Sequence, residues 1–319
     1  MSNLTQLFDA GRFPGGVEVH TDSVSATMTL DGSEHGSLRL FSLAPGVILS
    51  FNRIYTHVWP LAQTETANIL LLNFCLNGRC EVDLDNGQFA FLSQGVMALG
   101  TQQVTEPYRY PSSVYEGVEL FLDLDTLEQE PYCLFLEAGI DLATLIRHFQ
   151  AAQKLYLAQA PAAIQGILSE LWALRDTEDV GRMKLNSARL LLELGRQPYV
   201  PHPRIRYFTL SQVAIAKEVH SILLSDLSQN HTARELAERF QIGETSLKNY
   251  FRGVFGENLS VWLRKARMRR AAELLRDTEL RVAEIAAQVG YENQSKFAAV
   301  FARQFGCSPL EYRRRARLD

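Results

Sequence analysis

The first 135 residues alternate short apolar runs with turn dipeptides, a pattern typical of β-structure. Seven runs of strand length occur between Leu38 and Leu122. Turn dipeptides stand at Asp31-Gly32, Pro45-Gly46, Asn77-Gly78, Asn86-Gly87 and Gln94-Gly95. Because Asn-Gly between strand-like runs favours a two-residue hairpin, tight turns are predicted at residues 77–78 and 86–87. Many short strands of this kind predict a small barrel, which can hold one small ligand in its interior.

The period of the apolar positions changes after residue 135. From there to about residue 200, apolar residues recur at intervals of three and four, which predicts three amphipathic helices. Their apolar faces comprise Leu142, Leu145, Ile146, Phe149 and Ala152, then Ile164, Ile167, Leu168, Leu171 and Trp172, then Met183, Leu190, Leu191 and Leu194. The helices either cover the barrel or form a seam with a second copy, for which the candidates are Leu185, Leu191 and Leu192. The prolines of residues 197–203 predict a short, stiff linker.

The chain from residue 204 onwards contains an internal repeat. Residues 232–256 resemble residues 281–306, with matching apolar positions at an offset of 49 or 50. In each copy a short helix, a tight turn and a second helix are predicted, which is a helix-turn-helix. The turns are expected at residues 241–243 and 290–292. Gly256 and Gly306 follow the second helices, where a left-handed cap is favoured.

A continuous helix is predicted between the two copies. Residues 259–276, LSVWLRKARMRRAAELLR, contain no glycine or proline and consist largely of good helix formers. At 1.5 Å per residue, this helix would be about 27 Å long. A rod of that length can hold two recognition helices roughly one DNA turn apart, about 34 Å, so that both enter successive major grooves.

Charge is distributed unevenly along the chain. Residues 1–203 hold 12 Lys and Arg against 23 Asp and Glu, a net charge of −11, whereas residues 204–319 hold 20 against 13, a net charge of +7. A basic segment fused to an acidic body predicts that the basic part binds nucleic acid. The N-terminus lacks the features of a signal peptide and no apolar run could span a bilayer, so a cytoplasmic protein without a membrane partner is expected.

Three C-terminal segments carry a specific pattern: ELAERFQIGETSLKNYFRGVFG, RKARMRRAAELLRDT and VAEIAAQVGYENQSKFAAVFARQFGCSPLEYRR. Over about residues 215–316 the chain resembles the AraC/XylS family of bacterial transcription regulators. The resemblance implies a regulator that binds promoter DNA, more often an activator, and therefore a partner of RNA polymerase. The order of the parts is also similar to family members whose N-terminal, cupin-like domain binds an effector and dimerises.

By this resemblance, the second helix of each repeat lies in the major groove, and its N-terminal half reads bases. The residues at those positions are Thr245, Lys248 and Asn249 in the first repeat and Gln294, Ser295 and Lys296 in the second. Lysine can reach guanine O6 and N7, and asparagine can pair with adenine through two hydrogen bonds. Ala299 occupies a position where family members often carry a long polar side chain, so the second repeat is expected to contribute mainly position. Thr245 and Ser295 could instead cap their helices.

Basic side chains near these helices are the candidates for phosphate contacts, which position a protein on DNA without reading its sequence. The principal candidates are Arg252, Arg264, Arg303, Arg313 and Arg314, and further ones are Lys265, Arg267, Arg269, Arg270 and Arg315. Several lie on opposite sides of one helix. Arg264, Arg267 and Arg270 can alternatively form ion pairs with Glu273 or Asp277, as ordinary surface pairs of the kind made three or four residues apart on a helix.

The N-terminal part lacks the residues of a catalytic centre. A metal-dependent barrel enzyme needs several histidines and a carboxylate, usually with a His-x-His pair, whereas residues 1–135 contain only His20, His35 and His57. No GxSxG, P-loop or GxGxxG motif occurs. We therefore predict no catalytic residue, no metal and no cofactor.

An effector pocket is the function that remains for the barrel. Arg53, Tyr55, His57 and Trp59 alternate in a strand-like segment and would share one face. Further polar candidates for an anionic group are Arg39, Arg79 and Arg109. The alternative is that these residues are ordinary surface charges and core aromatics.

Together these patterns predict a multidomain chain. Residues 1–135 are expected to form a cupin-like effector-binding β-barrel, residues 136–203 a helical dimerisation region and linker, and residues 204–319 an all-α AraC-type domain with two helix-turn-helix units joined by a long helix. The expected function is a ligand-responsive, dimeric, non-enzymatic regulator that reads two successive major grooves per chain. One alternative is a constitutive regulator whose barrel binds no ligand. Another is an enzyme fused to a DNA-binding domain, which would require converging histidines and carboxylates.

Overall fold

The chain divides into two units, with the boundary between Tyr207 and Phe208. They are called here the N-terminal unit and the C-terminal unit. The structure is a computed structural model that describes residues 16–30, 35–60, 68–84, 87–101, 108–151, 155–200 and 205–316. The predictions made for Asp31-Gly32, Asn86, Ala152, Pro201 and Pro203 fall outside the described residues.

The N-terminal unit consists of strands followed by helices, as predicted. The strands are β1 (Val17–Thr21), β2 (Ser25–Leu30), β3 (Gly36–Ala44), β4 (Val47–Ile54), β5 (Val58–Trp59), β6 (Ile69–Asp83), β7 (Gln88–Ser93), β8 (Val96–Gly100), β9 (Tyr108–Arg109), β10 (Tyr115–Asp123) and β11 (Tyr156–Gln159). The helices are α1 (Leu124–Gln129), α2 (Cys133–Glu137), α3 (Leu142–Phe149), α4 (Ala162–Ala173) and α5 (Val180–Arg196). The last three helices match the predicted ones. Helices α1 and α2 were not predicted, and strand β11 interrupts a segment that was expected to be helical.

The strands pair antiparallel in a sheet that curls into a half-barrel. Its main order is β1-β2-β3-β4-β10-β6-β7. Strand β8 pairs with β6 and with β11, and β9 pairs with β5 and β6. The predicted turn at Pro45-Gly46 joins β3 and β4 in a hairpin. The turn at Gln94-Gly95 instead leads from β7 to β8, which pair with different parts of β6.

The structure does not contain the hairpin predicted at Asn77-Gly78. Strand β6 runs unbroken through both residues, and its pairing with β10 shifts register between Glu116 and Gly117. Gly78 has φ of 81°, and a Cβ there would lie 1.8 Å from the carbonyl oxygen of Val114. The extra residue at this β-bulge is Leu76, because Glu116 pairs with Asn77 and Gly117 with Cys75, and the long-range pairing with β10 keeps Gly78 within the strand. Residues 71–74 of β6 pair with β8, and residues 79–83 pair with β7.

Alternation along the central strands separates two apolar layers. On β10, Val118, Leu120 and Leu122 lie in a layer completed by helices α3, α4 and α5, the helical layer. Tyr115 lies in the second layer, the interior layer, which is built from residues of β2 to β8, of β10 and of β11. The predicted apolar faces of α4 and α5 are buried in the helical layer, and Leu191 is 2% exposed there.

A row of buried polar side chains crosses the interior layer. Ser50 on β4 and Asn73 on β6 lie directly opposite Glu119 on β10, and all three are buried. Asn73 donates from Nδ2 to Glu119 Oε1 at 2.6 Å, and Asn52 also hydrogen-bonds this carboxyl group. Ser50 donates to Asn52 at 2.5 Å, and the Tyr115 hydroxyl donates to Asn73 Oδ1. A buried polar network is stable when its members satisfy one another, as these do.

The C-terminal unit is helical apart from the short strand β12 (Phe208–Thr209). Its helices are α6 (Leu210–Ser225), α7 (Ala233–Arg239), α8 (Glu244–Phe255), α9 (Leu259–Asp277), α10 (Val282–Gln288), α11 (Gln294–Phe305) and α12 (Pro309–Arg315). We call α7 and α8 the first helix pair, and α10 and α11 the second helix pair. The predicted turns lie within the pairs, and α9 is the predicted continuous helix.

Glycine caps end both pairs, as expected. Gly256 after α8 and Gly306 after α11 have φ of 85° and 72°, and their N–H groups donate to the carbonyls of Arg252 and Ala302. A left-handed residue at this position satisfies a carbonyl that the helix leaves without a partner. The chain can therefore turn sharply from each pair into the next helix.

Helix α9 shares its buried surface between the two pairs. Near its start, the Trp262 ring lies 5.8 Å from the Phe251 ring of α8. Further along, Met268 and Leu275 belong to one apolar cluster with Phe297 and Phe301 of α11. The nineteen residues of α9 correspond to about 28 Å of helix.

We predict that the stability of the protein falls as the pH rises from about 4.5 to about 7, because of Glu119. Burial raises the pKa of this carboxyl group to about 7, although hydrogen bonds from Asn52 and Asn73 oppose the shift. The unfolded chain binds the proton less tightly than the folded protein, so deprotonation favours unfolding. The difference between the two pKa values corresponds to roughly 3 kcal/mol. The titratable neighbours Tyr108, Tyr110, Tyr115, Cys75 and Cys80 have pKa values raised by burial and remain neutral in this range.

The measurement is thermal unfolding of the full chain between pH 5 and pH 8. Glu119→Gln should melt at a higher temperature than the parent protein, by an amount that grows with pH. Glu128→Gln, an exposed change of the same kind on α1, serves as the control and should follow the parent protein. A Glu119→Gln difference that is constant with pH would contradict the account.

Candidate nucleic-acid interface

One face of α8 carries the base readers predicted for the first repeat. Leu247, Phe251, Val254 and Phe255 are buried, whereas Thr245, Lys248 and Asn249 are exposed. Because residues three and four apart share a face, the three polar side chains lie together on the side away from the core. The N-cap of α8 is Gly243, so Thr245 does not have the alternative capping role.

Lys248 is held along the helix by an ion pair. Its Nζ donates to Glu244 Oε1 at 2.5 Å, one turn earlier, and both side chains are exposed. An exposed pair of this spacing contributes only about 0.3–0.5 kcal/mol. The ammonium group can therefore leave Glu244 for a stronger acceptor at little cost.

Helix α11 presents the predicted residues of the second repeat. Gln294, Ser295 and Lys296 form its exposed first turn, and Phe297 and Phe301 are buried. The N-cap is Asn293, whose side chain accepts a hydrogen bond from the Lys296 backbone N–H at 2.9 Å. Ser295 is therefore not the cap, and its hydroxyl lies on the exposed surface of the first turn.

The two helices differ in the chemistry of their exposed faces. At an offset of 50 residues, the positions of Lys248, Asn249 and Arg252 are taken in α11 by alanines at 298, 299 and 302. Ala299 is exposed, and the other two alanines are half-buried. Alanine offers only a methyl group, so α11 has long polar side chains in its first turn and few beyond it.

Four of the principal phosphate candidates are exposed: Arg252, Arg264, Arg303 and Arg314. Two further candidates on α9 have acidic partners. Lys265 donates to Glu257 at 2.6 Å, and Arg270 donates to Glu273 at 2.9 Å, the latter being one of the alternative ion pairs predicted.

The structure places Arg313 and Arg267 differently from the other phosphate candidates. Arg313 is half-buried and donates to the carbonyls of Leu275, at 3.3 Å, and Leu280, at 2.5 Å. Carbonyls at and after the end of a helix lack partners within it, and a guanidinium satisfies them well. Arg267 is buried, and its guanidinium donates only to protein oxygens. Both guanidinium groups are thus hydrogen-bonded to backbone carbonyls of the C-terminal unit, and neither side chain is exposed at the surface as the other candidates are.

The four effector-pocket candidates do not share a strand face, so that geometric prediction is wrong. Strand β4 ends at Ile54, and the alternation stops with it. Arg53 pairs with Asp176 at 3.3 Å, and the exposed Tyr55 donates to Glu116 at 3.2 Å. The two remaining candidates separate as well. His57 is exposed, with Nε2 3.0 Å from the Ser113 hydroxyl, whereas Trp59 is buried.

Of the three further arginine candidates for the effector pocket, two stack on aromatic rings and one lies at the surface. Arg39 lies over the Phe41 ring at 4.9 Å and donates to the carbonyl of Arg175. Arg79 lies over the Phe91 ring at 5.4 Å, and burial lowers its pKa to about 10. Arg109 is exposed, on β9.

Sequence reasoning missed the polar row of the interior layer. Its signal was present: single polar residues stand in the middle of apolar runs, as Ser50 in VILSF, Asn73 in LLLNF and Glu119 in VELFL. A lone polar residue on the apolar phase of a strand must be buried with a partner. What the sequence did not give was the register that places the three opposite one another.

The interior layer also contains a polar atom without a partner. Trp59 is 2% exposed, and its Nε1 makes no hydrogen bond to any residue that the structure describes. It shares this layer with Tyr110 and Tyr115. A buried N–H group without an acceptor costs about 1–3 kcal/mol.

The described parts of the chain contain neither a metal-binding cluster nor a membrane-spanning helix. No group of three or more histidines, cysteines and acidic residues is placed so that it could hold a metal ion. No helix there is both long enough and apolar enough to cross a bilayer.

A family model described as a helix-turn-helix domain matches residues 236–315. The HTH-type transcriptional activator RhaR of Mannheimia succiniciproducens is 32% identical over 105 residues, which cover 33% of this chain and 38% of that protein. RhaR of Yersinia pseudotuberculosis is 37% identical over 97 residues, which cover 30% and 33%. The chain thus spans less than two fifths of these relatives. They are named as activators, in agreement with the predicted non-enzymatic function.

Solved structures are similar to about a third of this chain. The C-terminal domain of AraT, a response regulator from Geobacillus stearothermophilus, is 35% identical over 31% of this chain and 84% of that one, with a TM-score of 0.31. The DNA-binding domain of AdpA, solved with a target DNA, is 28% identical over 32% and 93%, also with a TM-score of 0.31.

The family match begins within α7 and ends with α12, so it covers α8 to α11 in full. These elements carry the resemblance noted in the sequence, and the match confirms it together with the identity to the RhaR relatives. The C-terminal unit of this chain is therefore a helix-turn-helix domain of the AraC/XylS family of transcriptional regulators.

Proposed function

We propose that this chain is a ligand-responsive, dimeric transcriptional regulator, and that each of its two helix pairs is a helix-turn-helix unit that enters a major groove of promoter DNA. The observation that carries the proposal is the shared plan of α8 and α11. Each buries one aromatic face, ends at a left-handed glycine and exposes polar side chains in its first turns. The net charge of +7 over residues 204–319 supplies attraction for phosphate.

Within this proposal, base reading is unequal between the two helices. Lys248 and Asn249 extend the exposed polar face of α8 into its second turn, where α11 has alanines. In α11, Gln294, Ser295 and Lys296 are the readers, confined to the first turn. Helix α8 then supplies most of the choice of sequence, and α11 adds affinity and position.

The exposed arginines 252, 264, 303 and 314 are proposed to contact phosphates. They lie on α8, α9, α11 and α12 respectively, so the contacts would be spread over the whole unit. Two nitrogens of Arg313 donate to the carbonyls of Leu275, in the last turn of α9, and Leu280, which follows α9, so Arg313 is left out of this set. Phosphate contacts add affinity that falls as salt rises.

The N-terminal unit is proposed to be a cupin-like effector-binding module over residues 1–135, followed by a dimerisation region and linker over residues 136–203. Trp59 Nε1 has no acceptor among the described residues, which supports a bound effector in the interior layer, because a ligand acceptor would remove the cost of that buried donor. Tyr115 and Glu119 provide polar groups in the same layer. For dimerisation, Leu185 is 63% exposed and Leu192 is half-buried seven residues along α5, whereas Leu191 belongs to the core of the chain.

An effector would act by binding one arrangement of the two DNA-binding units better than another. The remaining proposed partners are promoter DNA and, for an activator, RNA polymerase. A cytoplasmic location is proposed with them. The second candidate function is a constitutive dimeric regulator whose barrel binds no ligand. The completed hydrogen bonds of Glu119, Asn73 and Ser50 favour that candidate, because a closed network needs no ligand.

Lys248→Ala and Asn249→Ala should change the base preference of the protein, whereas Arg314→Ala should weaken binding to all sequences alike. Loss of a good base contact costs about 1–3 kcal/mol at one position. The measurement is selection from a random DNA pool with the full chain, followed by affinity titration at several salt concentrations. Arg314→Ala should also reduce the slope of affinity against salt by about one ion.

The control for this experiment is Arg276→Ala, at the end of α9, where the side chain pairs with Asp277. It should leave the selected sequence unchanged. If Lys248→Ala and Asn249→Ala select the parent sequence, the readers have been assigned wrongly.

An effector should raise the melting temperature of the full chain. The test is a thermal-shift screen with sugars, aromatic acids, fatty acids, bile acids, urea-like metabolites and iron–siderophore complexes. A ligand at 100 times its dissociation constant adds about 2.7 kcal/mol of stability. Trp59→Phe, which removes the Nε1 donor together with part of the indole ring, should reduce the shift. Trp172→Phe in the helical layer is the matched control and should keep it.

Two outcomes would count against this assignment. A shift unaffected by Trp59→Phe would place the ligand elsewhere. A flat screen with a cooperative melt would favour the constitutive regulator.

A further inference from the structure

Arg267 differs from every other basic residue of α9 in being buried. Its neighbours Arg264, Lys265, Arg269 and Arg270 are exposed, whereas Arg267 is 8% exposed. Burial lowers the pKa of its guanidinium, although Tyr291 and Asp226 oppose the shift. Burying this charge is unfavourable unless its donors are satisfied.

The guanidinium donates to the loop that leads into the first helix pair. Its Nε donates to the carbonyl of Leu227 at 2.8 Å, and one terminal nitrogen donates to the carbonyl of Gln229 at 2.8 Å and to Asn230 Oδ1 at 3.0 Å. This loop joins α6 to α7. The fixed fork of an arginine suits several acceptors at once, which the single ammonium group of a lysine does not.

The same guanidinium reaches the turn of the second helix pair. Its other terminal nitrogen lies 3.5 Å from the carbonyl of Gly290, between α10 and α11. At Gly290, a Cβ would lie 2.7 Å from an Arg267 nitrogen and 2.7 Å from the carbonyl oxygen of Ser228. The turn of the second helix pair is thus packed directly against Arg267 and against the loop that leads into the first helix pair.

The glycine at this turn is required by space rather than by backbone conformation alone. Gln241 occupies the equivalent turn of the first pair with φ of 54°, so a side chain is tolerated in the left-handed conformation there. Gly290 has φ of 78°. What distinguishes Gly290 is the close approach of Arg267 and Ser228.

We propose that Arg267 is the positioning residue that fixes the second helix pair relative to the first, and thereby the spacing of DNA half-sites that the chain accepts. The inference rests on the proposed binding of DNA by both pairs. Helix α9 alone sets the distance between the pairs, and Arg267 with Gly290 sets their orientation about it. A rigid connection keeps the effective concentration of α11 high at one groove position and low at others.

The test uses the full chain and three DNA duplexes derived from its selected site. One is the selected site itself, another carries two extra base pairs between its halves, and the third has the half read by α11 scrambled. The parent protein should bind the selected site at least tenfold more tightly than either of the others. Failure of the parent protein to bind any DNA would overturn the proposed function rather than the role of Arg267.

Arg267→Lys should bind the selected site about tenfold more weakly, while its affinity for the scrambled duplex stays at the parent value, because α8 is unchanged. Its preference for the selected over the lengthened spacing should shrink. Equal weakening on all three duplexes would indicate a merely structural role and would overturn the proposal. So would parental binding throughout.

Two further variants guard against misfolding and against general effects of charge. Asn230→Ala removes one acceptor from the guanidinium and should reduce the spacing preference in the same direction, by a smaller factor. Arg276→Lys, an exposed change on the same helix, should leave it unaltered. If Arg267→Lys does not fold, judged by its melting curve, the Asn230→Ala result decides the question.

Discussion

The arrangement of the C-terminal unit depends on one helix that serves two cores at once. Helix α9 gives Trp262 to the aromatic cluster of the first pair and Met268 and Leu275 to the cluster of the second. Because an α-helix of nineteen residues is a stiff rod of about 28 Å, the two clusters are held at a set distance. Buried Arg267 adds hydrogen bonds to both sides. Helix α9 therefore sets the distance between the exposed face of α8 and the exposed face of α11.

The N-terminal unit has a different balance of forces. Its sheet buries an apolar layer under helices on one face and a mixed layer on the other, where Glu119 and Asn73 hydrogen-bond across neighbouring strands. Placing a carboxyl group there costs stability when it is charged, and the amide groups around it recover part of that cost. Under the proposed function this layer binds the effector, and the donor offered to it is Trp59 Nε1, which has no acceptor among the described residues. Ligand recognition and pH-dependent stability would then originate in the same few side chains.

Local signals in the sequence were sufficient for the helical unit. The 50-residue repeat, the glycines at 256 and 306 and the uninterrupted helix between them predicted α7 to α11, because each depends on residues close in the chain. The six base-reading candidates came from the family resemblance, and all six are exposed on α8 and α11. The roles of Arg267 and Arg313 could not be predicted, since their acceptors lie 23 to 40 residues away in sequence.

The sheet was harder to predict for the same reason. Asn77-Gly78 has the chemistry of a hairpin turn but lies within strand β6, next to the bulge at Leu76, and only the pairing of β6 with β10 reveals this. Arg53, Tyr55, His57 and Trp59 alternate in the sequence, but strand β4 ends at Ile54. The last three residues therefore do not continue the face on which Arg53 lies. Strand β11 is four residues long and joins the sheet only through β8. Where a strand finds its partner far along the chain, the apolar pattern identifies its faces and leaves its pairing open.

The central claim is that one chain occupies two successive major grooves through helix pairs held by α9. Methylation interference at guanine N7, which lies in the major groove, tests it most directly, with the full chain on its selected site and the number of bound chains measured on the same complex. Two groups of interfering guanines are expected for each bound chain, centred roughly 10 base pairs, or one helical turn, apart. A single group for each bound chain would contradict it.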